Sequence, residues 1–423
     1  MVQARVKAPT REGNKMVSML QTDTNTTLQP VPMLDFSREY AEIREEVLAA
    51  ITAVCDSQRF ILGPAVESFE TAAAHACGVP YAIGCSSGTD ALWLALAALH
   101  IGSSSLPSHL NPSNLSPVQN PSTQAVITTP FSFFATASSI LRAGAQPIFA
   151  DIDPNTFNLS PHTTAELLQS HPAAGIMPVH LYGQCADMTA FKTLAITHNL
   201  KLIEDAAQAF GATWQGVPAG ALSDAAAFSF YPNKNLAAFG DAGLLTTQNP
   251  ETADRARMLR AHGMKVRYFH EEVGWNARID SIQAAILQIK LRHVDAGNQR
   301  RRELAALYDQ RFTAANLTGP TTADGIVLPY TDPRGTHVFH QYVIRAPRRD
   351  ELRAYLTAHS IGTEIYYPLP LHQQKALANL GYNPGDFPHA ERAAAEVLAL
   401  PIYPHLREDE LDTVVEAIRR FYA

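Results

Sequence analysis

The 423-residue chain is long enough for two domains, and its 46% hydrophobic content is ordinary for a protein with a sizeable core. A net charge of -7 gives no basic field for nucleic acid or an anionic membrane, and the apolar runs are too short to span a bilayer. Four scattered cysteines without a C-x-x-C pair predict reduced thiols in the cytoplasm, with neither a disulfide framework nor a metal site.

The chain opens with a polar stretch of mixed charge, residues 1–29, which we predict to be a mobile leader. Apolar residues at helical spacing predict a helix over 41–55, and a second helix follows the break at Gly63 and Pro64. A short buried strand is expected at 81–84. The folded part therefore begins near residue 30.

Small residues, from Gly84 to Thr89, join this strand to a helix rich in alanine and leucine. The unpaired amides at a helix N-terminus and the hydroxyls of Ser87 and Thr89 can bind one anion, such as a phosphate. An equally weighted alternative is that these residues only cap the helix.

A segment rich in Ser, Pro and Asn, about residues 102–123, is predicted to be a surface insertion to which we assign no chemistry. Beyond it strands and helices alternate, which predicts a parallel sheet with helices on both faces. The strands are expected at 125–128, 147–151, 177–183 and 201–205.

Two acids, Glu204 and Asp205, end the last of these strands. Ligands of an open parallel sheet bind beyond the carboxyl ends of the strands, so Asp205 is a candidate site residue. The pair could instead be a helix cap or a surface pair. His180, on the preceding strand, is interpreted as satisfying the backbone.

Lys234 lies in a turn between two apolar stretches, Ala227 to Phe230 and Ala242 to Thr247. Desolvation between apolar strands lowers the pKa of an amine and frees it to act as a nucleophile or to form a Schiff base. For a lone lysine, an exposed hairpin tip is the better interpretation. Residues elsewhere in the chain must decide between a reactive amine and an exposed hairpin tip.

The C-terminal part shows a different pattern. An amphipathic helix, Asp280 to Lys290, is expected to continue toward Asn298 and to link two domains, predicted at 30–290 and 291–423. The second domain is expected to be α+β. Its predicted strands are 338–344 and 363–367, and its predicted helices are 349–359 and 408–421.

Several segments, in this order and at this spacing, resemble the DegT/StrS-type nucleotide-sugar aminotransferases, a branch of the fold-type-I pyridoxal-phosphate enzymes. The resemblance runs from about Pro32 to Phe421. It is carried by Ser87–Leu92, Phe133–Thr136, Pro178–Gln184, Glu204–Gln208, Ser229–Leu236, Gly274–Asp280 with Gln283–Ala285, and Tyr366–His372.

The resemblance implies an α/β large domain with a mostly parallel sheet and a smaller C-terminal α+β domain. It implies that Lys234 forms a Schiff base with pyridoxal 5'-phosphate and carries the proton of the reaction, while Asp205 pairs with the pyridinium nitrogen. The remaining implied cofactor contacts are Gln208 near the ring hydroxyl, Phe133 on the ring face, and Gly88, Thr89, Ser229 and a neighbouring subunit's Asn276 at the phosphate.

The implied enzyme is a cytoplasmic homodimer with a shared active site, moving an amino group, from glutamate, to a keto group of a nucleotide-linked deoxysugar. Sugar dehydration, other chemistry of the same cofactor, and a regulatory member without turnover remain alternatives. Tyr366, Tyr367 and His372 either border the sugar pocket or are turn and core residues.

Overall fold

A computed structural model describes residues 28–102 and 124–423. The predicted insertion, apart from Gly102, and the predicted leader, apart from Leu28 and Gln29, lie outside the described residues. Gln29 contacts the C-terminal helix, because its amide donates hydrogen bonds to Asp409 at 3.1 Å and to Thr413 at 3.2 Å. Within the described ranges, no helix has both the length and the apolar character needed to cross a membrane.

Helices and strands are numbered in chain order. The helices are α1 (Phe36–Ser57), α2 (Pro64–Ala76), α3 (Gly88–Ala98), α4 (Ala135–Arg142), α5 (Pro161–Leu168), α6 (Met188–His198), α7 (Pro250–Leu259), α8 (Ser281–Leu291), α9 (Val294–Ala314), α10 (Arg349–Ala358), α11 (Pro388–Glu396) and α12 (Glu408–Tyr422). The strands are β1 (Tyr81–Cys85), β2 (Ala125–Thr128), β3 (Gln146–Phe149), β4 (Gly175–Met177), β5 (Lys201–Asp205), β6 (Thr213–Trp214), β7 (Val217–Pro218), β8 (Ala225–Ser229), β9 (Gly243–Thr247), β10 (Met264–Val266), β11 (Phe269–His270), β12 (Gly335–Thr336), β13 (Tyr342–Arg345) and β14 (Val397–Leu400).

The central sheet has the strand order β1-β9-β8-β5-β4-β2-β3. Only β9 runs against its neighbours, and the rest of the sheet is parallel. Adjacent residues of β2 enter separate cores: Ile127 joins one cluster and Val126 another. A sheet covered on both faces explains why its strands are rich in apolar residues. The predicted mostly parallel α/β fold is confirmed.

The strand predicted over 177–183 is wrong beyond its first residue, since β4 ends at Met177. Pro178 has no N–H for a ladder, and Val179 adds only an isolated bridge to Asp205. Tyr182 then adopts a φ of 60°, which strands do not allow, inside a 3₁₀ turn. This turn bends the chain over the carboxyl end of β5.

The C-terminal part is built on the antiparallel pair β13 and β14, with α10 and α12 in the same core. The strand predicted at 363–367 is wrong, because only Glu364 forms a bridge there, to Ala399. The predicted helix through Asn298 is broken between α8 and α9. The domain boundary near residue 290 falls at this break and stays a prediction.

Candidate active site

A cavity of about 490 Å³ opens where the carboxyl ends of β5 and β8 meet the start of α3. It brings together most of the predicted site residues, although they are far apart in sequence. The predicted residues that line it are Gly88, Thr89, Phe133, Asp205, Gln208, Ser229 and Lys234.

Lys234 follows β8 in a tight turn, where its backbone N–H donates to the carbonyl of Tyr231 at 2.9 Å. Its side chain is partly buried and faces the cavity, so the exposed hairpin tip is excluded. Burial disfavours the charged amine and lowers the pKa of Lys234 to about 8, although Asp205 opposes the shift. At this pKa roughly a tenth of the amine is uncharged at pH 7.

Two side chains from helices hold the segment around Lys234. The amide of Gln283 accepts from the N–H of Phe239 at 2.8 Å and donates to its carbonyl at 3.2 Å. Asn235 donates to Asn298 at 2.7 Å and to the carbonyl of Val338 at 3.0 Å. These contacts limit the positions that the neighbouring lysine can adopt.

Asp205 ends β5 with its carboxylate in the cavity. Thr136 Oγ1 donates to Oδ2 at 2.7 Å, and the N–H of Ala207 donates to Oδ1 at 3.3 Å. Because the Thr136 proton points to Asp205, Ser132 Oγ donates to Thr136 at 2.8 Å. Burial raises the pKa of Asp205, while these hydrogen bonds and Lys234 lower it. No ion pair joins Asp205 to Lys234, both of which are described residues.

Glu204, one residue earlier, points to the opposite face and is fully buried. It accepts hydrogen bonds from four donors. These are His180 Nε2 at 3.0 Å, Gly220 N at 2.9 Å, Leu222 N at 3.0 Å and Ser223 Oγ at 2.8 Å. His180 also accepts from the N–H of Ala186 at 3.1 Å, so it satisfies both the backbone and Glu204. This pair therefore belongs to the core.

The start of α3 combines the two predicted features, a helix cap and a position beside a ligand cavity. Ser87 caps the helix, accepting from the N–H of Asp90 at 3.1 Å, while Gly88 and Thr89 line the cavity. A Cβ at Gly88 would lie 2.6 Å from the Cβ of Ser229, so a side chain does not fit there. The N-terminus of α3, without a side chain at Gly88, is suited to bind an anion at the N–H groups of Gly88 and Thr89.

Gln208 connects the cavity wall to the C-terminal part. Its Oε1 accepts from the N–H of Tyr182 at 2.7 Å, and its Nε2 donates to the hydroxyl of Tyr367 at 3.1 Å. The rings of Tyr367 and Phe133 lie 6.2 Å apart, and Phe133 is 59% exposed on the cavity side. Of the two interpretations of Tyr367, its position in the cavity lining favours the pocket residue.

Asn276 is the one predicted site residue outside the Lys234 cavity. It lines a separate polar pocket of about 420 Å³ with Arg278, Asp280 and Gln283. Asp241 borders both spaces. Within a single chain, Asn276 is therefore not part of the lining around Lys234.

Sequence reasoning assigned no role to three residues that line the cavity, Thr136, His340 and Gln341. Thr136 lies in a quoted motif, but its bond to Asp205 spans 69 positions and leaves no local signal. His340 and Gln341 stand in a segment that was predicted only as a strand.

Comparison with known proteins gives one family. The sequence profile of the DegT/DnrJ/EryC1/StrS aminotransferase family matches residues 41–419. A relative from Geobacillus stearothermophilus named "Pleiotropic regulatory protein" is 44% identical, covering 93% of this chain and 98% of its own. The "dTDP-3-amino-3,4,6-trideoxy-alpha-D-glucose transaminase" of Streptomyces venezuelae is 41% identical, covering 92% and 96%.

Solved structures agree with this match. The S. venezuelae DesV structure "in complex with ketimine intermediate" has a TM-score of 0.84 at 40% identity, covering 93% of this chain and 98% of the other. A Bacillus subtilis ntda structure "with bound cofactor pmp" has a TM-score of 0.80 at 31% identity, covering 94% and 86%. The likeness extends over nearly the whole chain.

Proposed function

The chain belongs to the DegT/DnrJ/EryC1/StrS aminotransferase family, and we propose that it transfers an amino group from glutamate to a keto group of a nucleotide-linked deoxysugar. The observation that carries the proposal is Lys234, an amine with a pKa of about 8 that shares a cavity with the carboxylate of Asp205. The name of the Streptomyces venezuelae relative supports the substrate class.

The cavity residues fit pyridoxal phosphate. The start of α3 offers open amides and no side chain at Gly88, which suits a phosphate. Among the described residues, Asp205 receives two hydrogen bonds, which leaves acceptor capacity for a ring N–H. Lys234 would hold the cofactor through its amine. Phosphate contacts by Thr89 and Ser229, and a ring-face contact by Phe133, belong to the same proposal.

When bound, the cofactor supplies a carbonyl that amines attack and a ring that accepts electrons from the reacting carbon. The protein supplies the acid-base groups. Lys234 Nζ, uncharged in part near neutral pH, accepts a proton and returns it. Thr136 and Lys234 oppose the rise that burial causes in the pKa of Asp205, and its carboxylate would pair with a ring N–H. Gln208 and Tyr367 form a hydrogen-bonded wall beside them.

We further propose that two copies of the chain share their sites, with Asn276 serving the phosphate of the partner. Its separation from the Lys234 cavity within one chain supports this arrangement. The test mixes Lys234→Ala and Asn276→Ala subunits, each inactive alone. Recovered activity is expected, because a mixed dimer rebuilds one site; no recovery would mean that Asn276 does not act across the interface.

The substrate test uses the purified protein loaded with pyridoxal phosphate and a panel of 3-keto and 4-keto nucleotide sugars, with glutamate as donor. We expect amination of one class, seen by mass spectrometry of the sugar. A protein that takes the amino group from glutamate but aminates no ketosugar would contradict the proposed acceptor.

A second candidate function is regulation without turnover, favoured by the name of the Geobacillus relative. Lys234, Asp205 and Gln208 are all in place in the cavity, which supports turnover instead. Dehydration of the sugar is the other alternative. It would be recognised by loss of water from the sugar without incorporation of nitrogen.

A further inference from the structure

Three buried acceptor atoms in the cavity lining have no hydrogen-bond partner among the described residues. One is Asn233 Oδ1, beside Lys234, and the other two, His340 Nε2 and Gln341 Oε1, belong to consecutive residues. His340 is 6% exposed and Gln341 is 4% exposed, so bulk water does not compensate for the missing donors. Buried acceptors are normally paired, and unpaired ones in a cavity indicate a ligand that carries donors.

The hydrogen bonds of Asn235 determine which nitrogen of His340 carries the proton. Asn235 Nδ2 donates to Asn298 Oδ1 and to the carbonyl of Val338. Its Oδ1 therefore faces His340 Nδ1, at 3.2 Å, and must accept from it. His340 Nδ1 is the protonated nitrogen, and Nε2 presents a lone pair.

His340 also remains neutral. Burial lowers its pKa well below the ordinary histidine value, and the nearby charges of Lys234 and Arg301, with His337, lower it further. Lys234 donates no hydrogen bond to His340 among the described contacts. The Nε2 lone pair is thus free for a ligand.

The amide of Gln341 is oriented by Tyr366. Burial raises the pKa of the Tyr366 hydroxyl, and a hydrogen bond from the Gln341 side chain opposes that shift. A hydrogen bond that lowers the pKa of a phenol is one that the phenol oxygen accepts, so the NH₂ group of Gln341 is the donor. Oε1 is left as the unpaired end.

Two neutral acceptors in consecutive residues suit hydroxyl groups and not a carboxylate, whose oxygens also carry lone pairs. Among the described residues of the lining, Lys234 is the one Lys or Arg. We propose that His340 Nε2 and Gln341 Oε1 form a two-acceptor subsite that binds hydroxyl groups of the hexose ring of the acceptor substrate. This subsite rests on the proposed function, because it names the part of the substrate that the same cavity recognises.

The test compares the affinity of the cofactor-loaded protein for UDP-glucose and dTDP-glucose with its affinity for UDP and dTDP, by isothermal titration calorimetry. His340→Asn keeps a donor for Asn235 and removes the acceptor at Nε2, whereas His340→Gln places an amide oxygen near that position. Gln341→Leu removes the second acceptor. His198→Phe and Gln169→Leu, both exposed, are matched controls.

We expect the hexose to strengthen binding in the wild type, and His340→Asn and Gln341→Leu each to lose about tenfold of that gain. His340→Gln and the two controls should retain it. The affinity for UDP and dTDP alone should stay within about twofold in every variant, since the bare nucleotides carry no hexose.

Equal binding of sugar-linked and bare nucleotides by the wild type would overturn the subsite, and so would variants that weaken binding of the bare nucleotides as much as binding of the sugar-linked ones. A protein that binds the hexose through these residues but aminates no ketosugar would leave the subsite standing and refute the proposed function. If the His340 variants do not fold, the binding of sugar-linked and bare nucleotides by Gln341→Leu tests the subsite.

Discussion

The last two residues of β5 are both acids, yet they face different regions of the molecule. Glu204 enters a closed network in which four donors of the protein fill its carboxylate. Asp205 enters the cavity and accepts from two donors of the part of the chain that the structure describes. A carboxylate has about four acceptor positions, so Glu204 is satisfied and Asp205 is not.

The difference shows that the number of unfilled acceptor positions on the carboxylate, and not the residue type, separates a structural acid from a functional one. Alternation along the strand sends neighbouring side chains to opposite faces. The protein satisfies Glu204 with two backbone and two side-chain donors and leaves acceptor positions of Asp205 for a ligand. Substitutions at the two positions should therefore change different properties.

The largest effect is expected for Glu204→Leu. Four donors would lose their acceptor in the core, and breaking a buried charged network of this kind costs about 3 to 5 kcal/mol of the free energy of unfolding. Thermal and urea unfolding measure it. Glu204→Gln, which keeps the shape and one acceptor, should cost only about 1 to 3 kcal/mol. A stable Glu204→Leu protein would mean that the network contributes little.

Asp205→Asn should show the opposite profile. Loss of the negative charge facing the ring should reduce amino transfer by roughly a hundredfold to a thousandfold, the size of one preorganised electrostatic contact. The free energy of unfolding should change by less than about 1 kcal/mol, because the shape is kept. Steady-state kinetics and unfolding on the same preparation decide between the two roles. Equal losses of activity and of unfolding free energy for substitutions at Glu204 and Asp205 would contradict the two different roles.

Thr136→Val tests how Asp205 is tuned. A hydrogen bond to a charged group is worth about 1.5 to 3 kcal/mol, so the rate should fall by roughly tenfold to a hundredfold. The Thr136 hydroxyl lowers the pKa of Asp205, so its removal raises that pKa further. Activity should then decline at a higher pH on the acid side. Thr136→Ser should restore the wild-type profile; an unshifted profile in Thr136→Val would show that the hydroxyl does not act on the carboxylate.

The smallest effect concerns the pH dependence of cofactor capture. The apo protein should bind pyridoxal phosphate faster as the pH rises to about 8, where the Lys234 amine becomes free, and the rate should then level off. The charge of Asp205 raises the pKa of Lys234, so Asp205→Asn should move this rise to lower pH. Glu204→Gln should leave it in place. Stopped-flow absorbance measures the rate, and a common shift in both variants would contradict the assignment.

The sequence predicts the sheet well where strands are mostly apolar, as in β2, because burial on both faces leaves one interpretation. The prediction fails where contacts between distant segments determine the backbone conformation. Tyr182 leaves the strand conformation although its neighbours are apolar. The segment around Tyr366 contributes one bridge and no strand, while its partner β14 was not predicted at all.

The site divides in the same way. Lys234, Asp205 and the start of α3 could be found because strand ends and helix starts carry recognisable residues. Thr136, His340 and Gln341 could not, since their roles depend on atoms brought from distant segments. For Glu204 and Asp205 the sequence shows two acids, and only the hydrogen bonds tell which one is free.

The most direct measurement of the central claim is transfer of a labelled amino group. The cofactor-loaded protein is mixed with ¹⁵N-glutamate and a nucleotide-linked ketosugar, and the sugar is analysed by mass spectrometry. The account predicts ¹⁵N in the sugar with the wild type and none with Lys234→Ala. Unlabelled sugar from the wild type with every 3-keto and 4-keto substrate, or equal labelling by Lys234→Ala, would contradict it.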